Sequence, residues 1–375
     1  MFPFDHSAAT IFYLLLYGIT LVLHVLPMNY VLAGSTYLAA YGVWEAIRGP
    51  VESQRSLAAV LRDVMPIALA VTITAAVAPL LFLQILYQKP FYTANLLLFN
   101  RWMAILPVLI IAFYLLYLQK SKLWPKFSSQ TRAAVSSGIL ASFGFVAWSW
   151  TENHLLSLRD QATWSAVFAS PKWFYHDREL MPRLLVWYAG AFPILALALA
   201  WQRHFSDVSN ASGPTPADDS EGVEVERSTT RTLAIMAITG LGAAVVAGGG
   251  YYWYLESEIR IQLVSWESAP YLAAAIVGIG VQIAGWRRSL GGEKMSRLRL
   301  LTTSVGALMA VGGATTLREV RRVASINLLD HAGLHEAAAK IGGLGVFLVF
   351  FAVNFSAIAL VVRAVRRGLH ENSPR

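Results

Sequence analysis

The sequence predicts an all-α integral membrane protein. It reads as a helical bundle of about nine transmembrane helices, N-terminus outside and C-terminus cytoplasmic, with a long kinked first helix. Three observations predict this. Hydrophobic residues make up 56% of the 375 positions and charged residues only 14%, a balance too apolar for a soluble globule. Runs of about 20 apolar residues, the length that crosses roughly 30 Å of hydrocarbon as a helix, recur along the chain. Lys and Arg gather in alternate connections, as the positive-inside rule requires.

Residues 8 to 46 are apolar almost throughout, with Pro27 as the breaker. As one helix they extend about 58 Å at 1.5 Å per residue, so they are either one long helix kinked at Pro27 or two crossings. The run lacks a basic leader and a small-residue cleavage site, so it is predicted to be retained in the protein. Further apolar runs lie near 64–87, 99–118, 133–151, 183–202, 231–254, 268–286, 299–317 and 341–362. With one crossing in the first run, 19 of the 30 Lys and Arg fall in cytoplasmic connections and 10 in outside ones. Two crossings would place an N-terminal segment without Lys or Arg inside, which runs against that bias.

Residues 203–231 carry the polar, acidic stretch SNASGPTPADDSEGVEVE. They read as a mobile cytoplasmic linker between a five-helix half, 1–202, and a four-helix half with a basic tail, 232–375. The outside loop 152–183 holds Trp164, Phe168, Trp173, Phe174 and Tyr175 among charges, and is expected to lie folded at the interface.

Cysteine is absent, which excludes disulfides, iron–sulfur ligation and covalent c-type haem attachment through CxxCH. A redox cofactor would have to be held by His, Met or carboxylate. The net charge of +8 comes without a polybasic run, so nucleic acid is not an expected partner.

His24 is the first candidate, because an imidazole inside an apolar run is costly without a partner. Three uses are open to it: axial ligand to a b-type haem, hydrogen bond to a neighbouring helix, or quinone contact. Pro27 cannot donate to the Leu23 carbonyl, which loosens the helix beside it. His154, in TENHLLSL at the outer end of the fourth helix, is either a second haem ligand at the depth of His24 or a solvated helix cap beside Glu152 and Asn153. His331 and His335, spaced i, i+4, share a helix face but lack the HExxH order, so an exposed amphipathic helix touching a partner is expected. Arg318, Glu319, Arg321 and Arg322 end the eighth helix outside, where arginines meet anionic groups such as haem propionates, lipid phosphates or acidic partners. Met309 is either a thioether ligand or packing.

His24 with Gly34, the run APLLFLQILYQKPFYTANLLLFNRWMAILP, and the segments Ala78 to Tyr92, Glu152 to Leu156 and Met181 to Arg183 resemble subunit I of the cytochrome bd quinol oxidases, and most closely its divergent relatives in other bacterial respiratory complexes. The resemblance implies that His24 matches a first-helix histidine ligating a high-spin haem. In a haem-binding reading, Arg183 or Arg318 would neutralise propionates, with His154 and Met309 as further candidates around the cofactor. The departures are specific. The third helix, FNRWMAILPVLI, lacks the two carboxylates that serve oxygen reduction; Val186 or Trp187 stands where a ligand should follow Pro182-Arg183; and the connection Glu256 to Glu267 is too short for the quinol loop. Two expectations follow. One is a bacterial inner-membrane subunit holding haem b, passing electrons between the quinone pool and periplasmic c-type cytochrome partners without itself reducing oxygen. The other is a haem-free anchoring subunit of such a complex.

Overall fold

The computed structural model describes residues 5–170, 175–210, 220–341 and 345–353, together with 2, 173, 356, 360 and 363. Eight long helices are apolar enough to cross a membrane among them: α1 (Ala8–Arg48), α2 (Glu52–Leu86), α4 (Phe99–Lys120), α5 (Ser129–Ser157), α7 (Leu180–Asn210), α8 (Ser220–Tyr254), α10 (Ala269–Arg287) and α11 (Arg297–Ser325). Short helices α3 (Gln88–Leu97), α6 (Gln161–Ala169), α9 (Ser257–Leu263) and α12 (Ala332–Lys340) lie between and after them. The expected all-α membrane bundle is what the chain builds. A bent pair, Leu328–Lys340 with Gly345–Val353 at 65°, stands where the ninth crossing was expected. Residues 342–344, 354–355, 357–359 and 361–362 of that run, the linker core 211–219 and Phe174 lie outside the described residues.

The first run is a single helix of 41 residues that passes through Pro27. Ser7 starts it by accepting from the Thr10 backbone N–H, and Gly49 ends it at φ 87°, a backbone angle that favours glycine. This helix is the post of the bundle, packing against α2, α5, α7, α11 and α12. Its buried face runs through Tyr13, Tyr17, Leu21, Val25, Ala33 and Leu38. Large apolar side chains such as Ile67, Val71, Leu106, Ile110 and Val305 point outward, as a lipid-facing surface requires. Across the pair α7 and α11, Trp201 Nε1 donates to Ser304 Oγ at 2.9 Å.

At the end of the bundle where α1 begins, the described parts of the connections pack against the helices. Trp164 of α6 donates to the Leu156 carbonyl at 2.8 Å and packs with Leu97 and Val167 against Ala94, Leu98 and Leu156. Asp160 caps α6, and the Thr163 hydroxyl and backbone N–H together hold its carboxyl below the usual carboxylate range. The described part of the aromatic connection 152–183 thus packs against the bundle.

α12 corrects the reading of the His331 and His335 pair. His335 is fully buried, its Nδ1 2.7 Å from Thr10 Oγ1 and its Nε2 3.2 Å from the Leu86 carbonyl. Local spacing made this an exposed helix, whereas the long-range seat against α1 and α2 buries one of its histidines. His335→Leu removes both ties, at about 1 kcal/mol each. Amide exchange across 328–340 is therefore expected to accelerate roughly tenfold or more, with α7 and α8 unchanged.

Candidate functional site

Polar residues that each helix buries converge at the end of the bundle where α1 begins. α5 runs past the expected boundary at 151, so Glu152, Asn153 and His154 sit inside the protein with exposures of 0%, 3% and 4%. The solvated-cap reading of His154 is overturned by this extra turn and by the loop folded over it. Glu152 pairs with Arg101 of α4 and accepts from Trp148 Nε1 at 2.7 Å, while Asn153 donates to Asn95 at 2.7 Å.

α11 brings the arginines. Arg322 donates to Tyr17 Oη at 3.1 Å, pairs with Glu319, lies 4.6 Å over the Tyr87 ring and contacts His154 Nδ1. Tyr87 donates to Glu319. Arg321 donates to Glu179 Oε1 at 2.8 Å, and Tyr251 of α8 donates to Glu179 Oε2 at 3.1 Å. Arg159 reaches Glu179 at 3.4 Å and binds Asp177 at 2.6 Å, which fastens the outside loop. Beside Arg321, a cleft of about 230 Å³ opens between Arg159, Glu256, Gln262 and Ser325.

Guanidiniums outnumber carboxylates here. Arg101, Arg183, Arg321 and Arg322 are buried and Arg318 half-buried, against buried Glu152, Glu179 and Glu319. Arg183 and His154 each carry a buried nitrogen, Nη1 and Nε2, without a hydrogen-bond partner. The ring of His154 lies in the field of Arg183, Arg318, Arg321 and Arg322. A buried excess of positive charge is costly in isolation and suits an anionic group.

The two candidate ligands differ in kind. His24 Nδ1 is 3.1 Å from the Thr72 carbonyl of α2. A carbonyl only accepts, so Nδ1 holds the proton and Nε2 keeps its lone pair, the arrangement a metal-ligating histidine adopts. His154 is the reverse: a guanidinium has no acceptor, so its contact assigns the lone pair to Nδ1 and the proton to Nε2. His154 is therefore a donor in this arrangement.

His24 joins the group through Arg318, whose charge reaches both rings. Met309 does not join it. Its Cβ lies against Gly278 in the seam of α10 and α11, nine residues and about 13 Å along the helix from Arg318. His331 bonds the Asn327 carbonyl at 3.2 Å, and no trio of His, Asp and Glu gathers for a metal ion among the described residues. Tyr17, Tyr87, Arg101 and Glu179 were not singled out by sequence. Ionisable residues at the edge of an apolar run, such as Arg101 and Glu179, are the signal that finds half of this set.

No protein-family model matches the sequence, and no curated protein matches it. A chain in the structure of bd oxidase from Geobacillus thermodenitrificans superposes with a TM-score of 0.66, covering 98% of this chain and 99% of that one at 12% identity. The fold is that of a bd oxidase chain. The superposition runs over nearly the whole length of both chains, and the fold it shows agrees with the cytochrome bd resemblance.

Tested against a b-type haem, the residues fit with one iron ligand. His24 offers Nε2, and Arg183, Arg318 and His154 offer donors to carboxylates.

Proposed function

We propose that this chain is an integral membrane subunit of a respiratory electron-transfer complex, holding a b-type haem at the end of the bundle where α1 begins. The loop charges support reading that end as the periplasmic face, in a bacterial inner membrane. The bd-type fold supports the respiratory setting, and the observation that carries the haem reading is the Nδ1 bond of His24 to Thr72, which frees Nε2. His24 would hold the iron, and Arg183 and Arg318 would offset the propionates. When bound, the haem supplies one-electron exchange. The chain's own part is to hold that group among Tyr17, Tyr87 and the arginines, between the quinone pool and periplasmic cytochrome partners. Oxygen reduction is not part of this reading, because FNRWMAILPVLI carries no carboxylate.

A second reading is a haem-free anchoring subunit. It is favoured by Arg322, which ties α1, the start of α3, α5 and its own helix together through Tyr17, Tyr87, His154 and Glu319. A pyridine haemochrome spectrum of the purified complex decides between the two. The haem reading expects a b-type α band from this chain that His24→Ala abolishes while the protein remains inserted. No such band in the wild type would leave the anchoring reading standing.

A further inference from the structure

We infer that Arg183 of α7 and His154 of α5 form a buried receptor for an oxyanion, with Arg183 Nη1 and the Nε2–H of His154 as its two donors. Both side chains are at least nine-tenths buried, at 5% and 4% exposure, and both of these nitrogens lack a partner. The charge of Arg183, like that of Arg322, acts on the His154 ring. Among the described residues, the buried glutamates around them are engaged elsewhere. Glu179 is engaged by Arg321, Arg159 and Tyr251, Glu319 by Arg322 and Tyr87, and Glu152 by Arg101 and Trp148. Arg322 completes the receptor by holding His154 in the tautomer that donates from Nε2, since a guanidinium cannot accept. A neutral donor beside a fixed cation is a selective seat for a carboxylate or phosphate oxygen.

This deepens the haem reading, on which it rests, by assigning His154 to the carboxylate edge of the cofactor and not to its iron. The same chemistry would accept a lipid phosphate, and the two sources separate by experiment. Haem transfer to apomyoglobin is followed for the purified complex carrying wild type, His154→Gln, His154→Leu, Arg183→Lys or Arg183→Gln. Loss of a charge-assisted hydrogen bond is expected to speed release about tenfold to a hundredfold in His154→Leu and Arg183→Gln, with the Soret band and spin state unchanged. Gln at 154 supplies an N–H in place of Nε2–H and Lys at 183 keeps the charge, so both retain haem close to wild type. A changed spin state in both His154 variants would make His154 an iron ligand and overturn the receptor; so would release at the wild-type rate in all four.

If the wild type carries no haem, the haem reading fails separately, and native mass spectrometry for bound phospholipid takes over. An anionic lipid retained by wild type and His154→Gln but lost from Arg183→Gln supports the receptor with a lipid phosphate in it. Equal lipid content in all the proteins, or none, overturns it.

Discussion

Glu152→Ala is expected to destabilise the protein by about 3–5 kcal/mol, the usual cost of removing one partner of a buried ion pair. The Arg101 and Glu152 side chains are 2% and 0% exposed, so the guanidinium loses its carboxylate where water cannot take over. The indole N–H of Trp148 loses its acceptor in the same step. The expense belongs to breaking the pair on one side and not to the pair itself. Arg101→Met combined with Glu152→Leu should therefore recover most of the loss, because apolar replacements of similar volume are often neutral or better. Unfolding of the detergent-solubilised protein in denaturant measures both. A single variant that unfolds with wild type would show that this pair is not buried in the folded protein. A double variant as unstable as the single one would show that the cost lies in packing.

The membrane spans were legible because hydropathy acts on every residue of a run. The bilayer demands about 20 apolar residues in a helix whatever its neighbours are. Charge asymmetry then chose one crossing for residues 8–46, and α1 is one helix despite Pro27, whose missing N–H opens a single rung of the ladder. The short helices α3, α6 and α9 were not legible, being 7 to 10 residues long and shaped by what they rest on; α12 was read as a helix, but not the burial of His335.

The candidate site was legible only in its members of unusual type. His24 and the arginines of α11 stood out because charge in or beside a span is costly. The local string around His154 is polar at a helix end, and solvent exposure follows from that alone. Its burial depends on Arg322, 168 residues away, and on a folded loop. The same holds for His335, whose seat is Thr10 on α1, 325 residues distant. A site drawn from α1, α4, α5, α7, α8 and α11 is thus visible in the sequence as scattered oddities, and its electrostatics emerge only when the helices meet. Tyr17 and Tyr87 give no signal of their own, since a tyrosine in an apolar run is ordinary packing until an arginine lies across it.

Gly278→Val is expected to cost about 3 kcal/mol by forcing α10 away from α11. At Gly278 a Cβ would fall 2.5 Å from both the Gly306 carbonyl oxygen and the Ala310 nitrogen, and these are backbone atoms that cannot rotate aside. At Gly313, one face further along, it would meet the Tyr271 carbonyl at 2.5 Å, so the two helices touch backbone to backbone through small residues. Overpacking of that kind usually costs about 1–3 kcal/mol, and an obstacle made of main chain places it at the upper end. Gly280 is the internal control. It lies on the same helix with nothing within 4 Å of its would-be Cβ, so Gly280→Ala should stabilise by about 0.5–1 kcal/mol through helix propensity alone. The pair of variants separates close approach from glycine's general weakness in helices. If Gly278→Val and Gly280→Ala shift the denaturation midpoint in the same direction, the tight seam does not exist. The seam also sets the direction in which α11 leaves the bundle, so its loosening should disturb Arg318, Arg321 and Arg322. A lowered haem content in Gly278→Val, beside unchanged content in Gly280→Ala, is the expected sign that the arginines are positioned from that far away.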